Sequence, residues 1–336
     1  MVAEGGTEYA HRETMQRSKC IWGPYEACPH NPIISHKEYK KSEIQATGHA
    51  DLVDDANGNW WLVFLGIRRF SHALLHNLGR ETFLAPVSWD DEGWPVVGYN
   101  GNGTIELETD APLPDAVHPV DHSVTIDFHK GTLDNRLFYT RNPIMENYIH
   151  TPLSGTLKLI GTDITINEPG ASPTIMSFKQ PQFTTTVTAK LILPETNARR
   201  CGIAAYYNND YHYEIYVGND SDGQYVGFYK HIHDMGVELV RIPISSENND
   251  SVVIFRIDTD REKYTFSYAL TKDVSTPRNE PAYITVGSGL NAGLSTEGTK
   301  TMTFTGTLFS LFSEKGTGTF ADKVELTINP DVDYKL

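Results

Sequence analysis

The sequence predicts an all-β protein built from two units. Three observations carry this. The chain has 336 residues, more than one typical domain. Tyr, Phe and Trp make up 11% of it, Gly and Pro number 27 and 18, and charged residues are only 21%. That composition favours pleated, turn-rich structure. Finally, short β-like runs between turn residues recur throughout, while no window of about twelve residues shows the i, i+3, i+4, i+7 pattern of an amphipathic helix.

Taken in chain order, Asp51-Leu52-Val53, a turn at 55–59 and Trp60 to Leu65 form a hairpin with an apolar second strand. Asp54-Asp55-Ala56-Asn57-Gly58 superficially resembles a calcium loop but lacks the later acidic ligand, so it reads as the hairpin turn. Glu81 to Val87 and Trp94 to Val97 read as further strands. At least one of Trp60 and Trp61 faces the core by alternation, and most of the five tryptophans read as core. Between 108 and 122, Pro112, Pro114 and Pro119 with Asp110, Asp115 and Asp121 make a stiff polar connector, dividing a unit at 1–120 from a unit at 121–336.

After the connector, strands are expected at 155–160, 183–193, 202–207, 211–217, 225–229, 252–258, 264–270 and 302–312. Their spacing, about 8–15 residues, suits an antiparallel sandwich. In the run 211–217, Tyr211, Tyr213, Ile215 and Val217 share one face, and His212, Glu214 and Tyr216 the other. The Thr/Ser/Gly-rich stretch 287–301 reads as a loop.

A net charge of -15 repels phosphate backbones and argues against nucleic acid, while neutral sugars are not repelled. Cys20, Cys28 and Cys201 form neither a disulfide framework nor a CxxC metal site; Cys20 and Cys28 read as unrelated thiols, though a bridge between them is open. No apolar run reaches the roughly 18 residues of a membrane span, and the N-terminus shows no signal peptide, so the expectation is a cytoplasmic protein with no membrane partner.

Three segments stand out. The first is Glu4-Gly5-Gly6-Thr7 with Arg17-Ser18, Gly23-Pro24-Tyr25-Glu26 and Asn31-Pro32-Ile33. The second is Gly48-His49-Ala50-Asp51-Leu52-Val53. The third is Leu78-Gly79-Arg80-Glu81-Thr82. In this order and spacing they resemble glycoside hydrolase family 43, of the β-xylosidase and α-L-arabinofuranosidase type. In the second half, 137–143, Ser172-Pro173-Thr174, Lys179-Gln180, 202–207 and 304–308 resemble the sandwich appended to those enzymes.

The resemblance implies the last part of a five-bladed β-propeller followed by a concanavalin-like β-sandwich. It implies an inverting, exo-acting hydrolase that releases xylose or arabinose from xylan-derived oligosaccharides, a reaction needing two carboxylates far enough apart to admit a water. The family's acid, base and modulating carboxylates precede the "EGGT" strand at which this sequence begins. The expectation is therefore a chain without catalytic residues of its own, inactive alone. It would associate with the missing blades or as a homo-oligomer, with a noncatalytic carbohydrate-binding or structural module and a split enzyme as alternatives.

For individual residues, the resemblance makes Arg80 a donor to sugar hydroxyls, a task suited to a planar, permanently charged guanidinium. A strand-end arginine paired with a surface carboxylate is the alternative reading. It places His49 on the funnel axis near a calcium ion, where imidazole can bind the metal or orient its waters. The other reading is a buried histidine bonded to a carbonyl, and a full calcium site needs more oxygen ligands than this segment offers. Thr7 lines the pocket or is an ordinary strand threonine. Leu308 stands where relatives often place an aromatic residue over the pocket, and apolar packing is the favoured reading. Glu4 and Glu81 read as structural hydrogen-bonding partners. No cofactor is required.

Overall fold

The structure is a computed structural model, and it describes residues 1–71, 74–98, 105, 107, 123–245, 249–274 and 281–329. The connector expected at 108–122 lies outside the described residues. Contacts divide the chain into two compact units, 1–119 and 120–334.

The first unit contains β1 (Val2–Glu4), β2 (Arg12–Thr14), β3 (Gln16–Arg17), β4 (Glu26–Ala27), β5 (Ile44–Asp54), β6 (Trp60–Arg68), β7 (Glu81–Trp89) and β8 (Pro95–Val97). β1 pairs with β2 and β3 with β4, while β5-β6-β7-β8 is a four-stranded antiparallel meander, the geometry of one propeller blade. Its apolar face gathers Ile34, Ile44, Leu62, Phe64, Ala85 and Trp94. The β5–β6 turn forms because Asp55 Oδ1 accepts the N–H groups of Asn57 and Asn59 at 2.8 and 3.0 Å, which satisfies the reversing backbone without a metal.

Two tryptophans depart from the expectation of a shared core. Trp61 and Trp94 are buried, but Trp89 lies at the surface and Trp22 is 90% exposed. Trp22 sits in the β3–β4 reversal, where two-residue strands build too little surface to cover an indole.

The second unit contains β9 (Ser123–Asp127), β10 (Phe138–Tyr139), β11 (Tyr148–Thr151), β12 (Thr156–Gly161), β13 (Ile175–Lys179), β14 (Thr185–Ile192), β15 (Arg200–Asn208), β16 (Tyr211–Asp220), β17 (Gly223–Ile232), β18 (Met235–Pro243), β19 (Val252–Thr259), β20 (Lys263–Thr271), β21 (Ile284–Leu290), β22 (Leu308–Glu314) and β23 (Gly316–Ile328). They form two antiparallel sheets, ordered β10-β13-β22-β15-β16-β17-β18 and β11-β12-β23-β14-β19-β20-β21, with β9 on β23. Inward residues of both sheets interdigitate: Tyr213 meets Phe266 edge-on at 6.5 Å between ring centroids, and Phe228 meets Phe266 at 5.1 Å.

Two expectations are corrected here. The stretch 287–301 is not all loop: β21 runs through Leu290 and a 3-10 turn spans Asn291–Leu294. The strand expected at 302–312 begins only at Leu308. Before it, the N–H groups of Lys300 and Thr303 bond the hydroxyls of Tyr211 and Tyr207, both at 3.0 Å, so tyrosines replace a ladder partner.

Alternation along β16 holds, and both faces are buried. Tyr211, Tyr213, Ile215 and Val217 join the inter-sheet core. His212, Glu214 and Tyr216 face outward yet are at most 1% exposed, covered from the side by Ile166, Ile175, Tyr206 and Tyr225. Arg200 serves two carboxylates there, reaching Glu314 at 2.8 Å and Glu214 at 3.3 Å. His212 Nε2 stands 3.1 Å from a Glu214 oxygen and 2.9 Å from Asn167 Oδ1. Burial pushes both carboxyls up, but for Glu214 the neighbouring Arg200 and His212 outweigh it and bring it below the usual range. Glu314 stays above that range.

Candidate active-site wall

The β5 strand carries the local geometry that matters most. Its register against β6 runs Gln45 to Ile67, Gly48 to Leu65 and Asp51 to Val63. Each interval gives β5 one residue more than β6, so two β-bulges follow in succession. Each contains a non-glycine residue in the left-handed region, Ala46 at φ 50° and His49 at φ 53°. Such residues cost on the order of 1 kcal/mol each and persist only where surroundings hold them.

The surroundings are side chains from β2 and the residue before it. His11 and Glu13 are both 2% exposed. His11 Nδ1 stands 2.8 Å from the Ala46 carbonyl oxygen, so Nδ1 carries a proton and donates. Glu13 accepts the N–H of Ala50 at 3.1 Å. Glu13 is fixed in turn through its own backbone, whose N–H and C=O bond Ile34 and Ile33 at 3.0 and 2.9 Å. Burial lowers the His11 pKa and raises that of Glu13, and for His11 the nearby charges of His49 and Arg80 push the same way.

The result is a strand segment, Ile44–Ala50, in which His49 alone is exposed. The buried, carbonyl-bonded histidine that was the other reading for His49 describes His11 instead. Arg80, half-buried, follows Gly79 at φ 72° and precedes β7. It lies close enough to bear on His11 electrostatically, as does His49. Thr7 is half-buried in the bend after β1 and is not a strand residue. Leu308 opens β22 in the second unit, opposite Lys179 and Tyr206, and is 8% exposed.

Two further glutamates of this unit, Glu4 and Glu81, are engaged. Glu4 accepts Arg12 Nε at 2.8 Å and Thr14 Oγ1 at 2.9 Å, and these bonds lower its pKa. Glu81 accepts Arg68 at 2.8 and 3.0 Å. Among the described residues no group of three His, Cys, Asp or Glu side chains is placed to hold a metal ion. His49 alone does not fit calcium, which takes six or more oxygens, so no step is routed through a metal. Cys20, Cys28 and Cys201 are free thiols. No helix among the described residues is long and apolar enough to cross a membrane.

Residues 1–95 match the model of glycosyl hydrolases family 43, and residues 125–323 match the β-xylosidase C-terminal concanavalin A-like domain. A non-reducing end α-L-arabinofuranosidase of Bacteroides ovatus is 38% identical over 79% of this chain and 49% of its own length. The chain belongs to glycoside hydrolase family 43. A xylan 1,3-β-xylosidase of a Vibrio species is 29% identical over 95% of the family 43 chain and 59% of its own length. Among solved structures, the GH43 BlXynB protein of Bacillus licheniformis superposes with TM-score 0.83 at 26% identity, over 97% of this chain and 62% of that one. The family 43 chain therefore spans about half the length of the curated relatives it matches. Its fold is all-β, a propeller portion with a concanavalin-like sandwich.

His11 and Glu13 are the residues sequence reasoning missed. The signal was present as two polar residues of one strand face, two apart, in a segment otherwise read only for its "EGGT" motif.

Proposed function

We propose that this chain supplies the sugar-contacting wall of an inverting, exo-acting glycoside hydrolase that releases arabinose or xylose from the non-reducing ends of xylan-derived oligosaccharides. The observation that carries the reading is that exposed His49 and half-buried Arg80 both lie near enough to buried His11 to act on it electrostatically. A guanidinium offers several donors in a fixed plane, and an imidazole adds a donor or acceptor, which together read the hydroxyls of a pentose. Family membership and the activities for which the relatives are named support the substrate class.

The chain binds sugar in this reading and does not break the bond. Inverting hydrolysis requires one free carboxylic acid at the leaving oxygen and one free carboxylate facing a water. Glu4, Glu13 and Glu81 are committed to Arg12, to the β5 backbone and to Arg68. The acid and base therefore come from outside these residues. Purified chain incubated with nitrophenyl arabinofuranoside or xyloside tests this. No release of nitrophenol is expected, and turnover that disappears when Glu4, Glu13 or Glu81 is changed to glutamine would overturn the assignment.

A further inference from the structure

We propose that His11 and Glu13 are positioning residues whose task is to hold the double bulge of β5 and thereby aim His49 at the sugar. The proposal rests on the sugar-wall reading for its purpose, but its structural content stands apart from it.

Bulges re-aim side chains, and each leaves backbone groups without a ladder partner. Here the orphaned groups are named and matched. The carbonyl of Ala46, in the first bulge, takes the proton of His11 Nδ1. The N–H of Ala50, in the second, goes to the carboxyl of Glu13 at 3.1 Å. A buried carboxyl that holds the amide immediately after His49 restrains the backbone on that side, where His49 sits at φ 53°. Arg12, between the two on β2, turns the opposite way to Glu4.

The site is built for this and leaves little slack. Both positioning groups are buried, and the His11 ring packs so tightly on Gly48 that a methyl there would stand 2.7 Å from Nε2. An ordinary buried histidine needs one carbonyl partner. It needs neither a glycine beneath it nor a companion carboxyl bonding the next bulge. The concentration of all three around the one exposed residue of the segment indicates that orientation of His49 is what they secure.

The test uses the full chain. Long-range proton–nitrogen NMR correlations of the His49 ring are recorded for the wild type, His11→Ala, His11→Asn and Glu13→Gln, alongside circular dichroism and titration with arabinose and xylose. In the wild type His49 should give one sharp set of ring signals. His11→Ala should broaden or split them while the circular dichroism stays native, and His11→Asn, which keeps a donor at the same distance along the side chain, should restore them. Where sugar binds, affinity should fall at least about fivefold in His11→Ala and recover in His11→Asn. Adding Ala46→Gly, which relieves the left-handed backbone, should partly rescue His11→Ala. Unchanged His49 signals in a folded His11→Ala chain would overturn the proposal. So would lost stability in Glu13→Gln without any change at the His49 ring. If the wild type binds neither sugar, the sugar-wall reading fails, and the ring signals still decide the positioning role.

Discussion

The imidazole of His11 lies against the backbone of Gly48, where an added Cβ would meet ring atoms at 2.7, 2.8 and 2.9 Å. Glycine is needed at this position for space and not for backbone conformation, because Gly48 is not in the left-handed region. Gly48→Ala must push His11 off the Ala46 carbonyl or shift β5. Overpacking of this kind costs about 1–3 kcal/mol, which equilibrium denaturation of the first unit should show. A neutral outcome would mean the ring moves freely and does not clamp the bulge.

Arg200 pairs with two buried carboxylates, so its removal takes from both of them the guanidinium they share. Arg200→Leu should destabilise the second unit by about 3–5 kcal/mol. Replacing Glu214 and Glu314 by leucine in the same chain should recover most of that loss, since a well-packed apolar cluster is often no worse than a buried ion pair. Urea midpoints of the three chains give the comparison.

The buried tyrosines set an alkaline limit. Burial pushes Tyr148 and Tyr206 up to about 12 from the ordinary 10.0. The folded state therefore holds their protons where the unfolded state releases them. The stability they contribute is complete below pH 10 and is lost as pH rises from 10 toward 12. Tyrosinate absorbance should show a class of tyrosines that ionises only as the fold opens, with both transitions at the same pH. Ionisation of all the tyrosines near pH 10 in a folded chain would contradict the burial.

Most strands were legible because alternation and turn residues are local signals. The Trp60 hairpin and β14, β15, β16, β17, β19 and β20 all fall where the pattern puts them. The failures have particular causes. β21 looked like a loop because of its glycines, yet Gly287 and Gly289 are there to admit Phe228 and Tyr213, whose ring atoms would lie 2.4 and 2.3 Å from a Cβ. β18 is an edge strand whose residues are mostly exposed, with Val240 and Ile242 reaching the core. The bulges of β5 were invisible because their left-handed residues are Ala46 and His49, not glycine. At the site, Arg80 and His49 were found through motif order. His11 and Glu13 were not, because their partners are backbone groups more than thirty residues away.

The central claim is that His49 and Arg80 form one sugar-contacting wall. Titrating arabinose and xylose into the full chain, with the His49 ring signals as the readout, tests it most directly. The account predicts saturable shifts with at least one of the two sugars, strongly weakened in Arg80→Lys because an ammonium cannot reproduce the guanidinium fork. Shifts of equal size in Arg80→Lys, or none at His49 with either sugar, would contradict it.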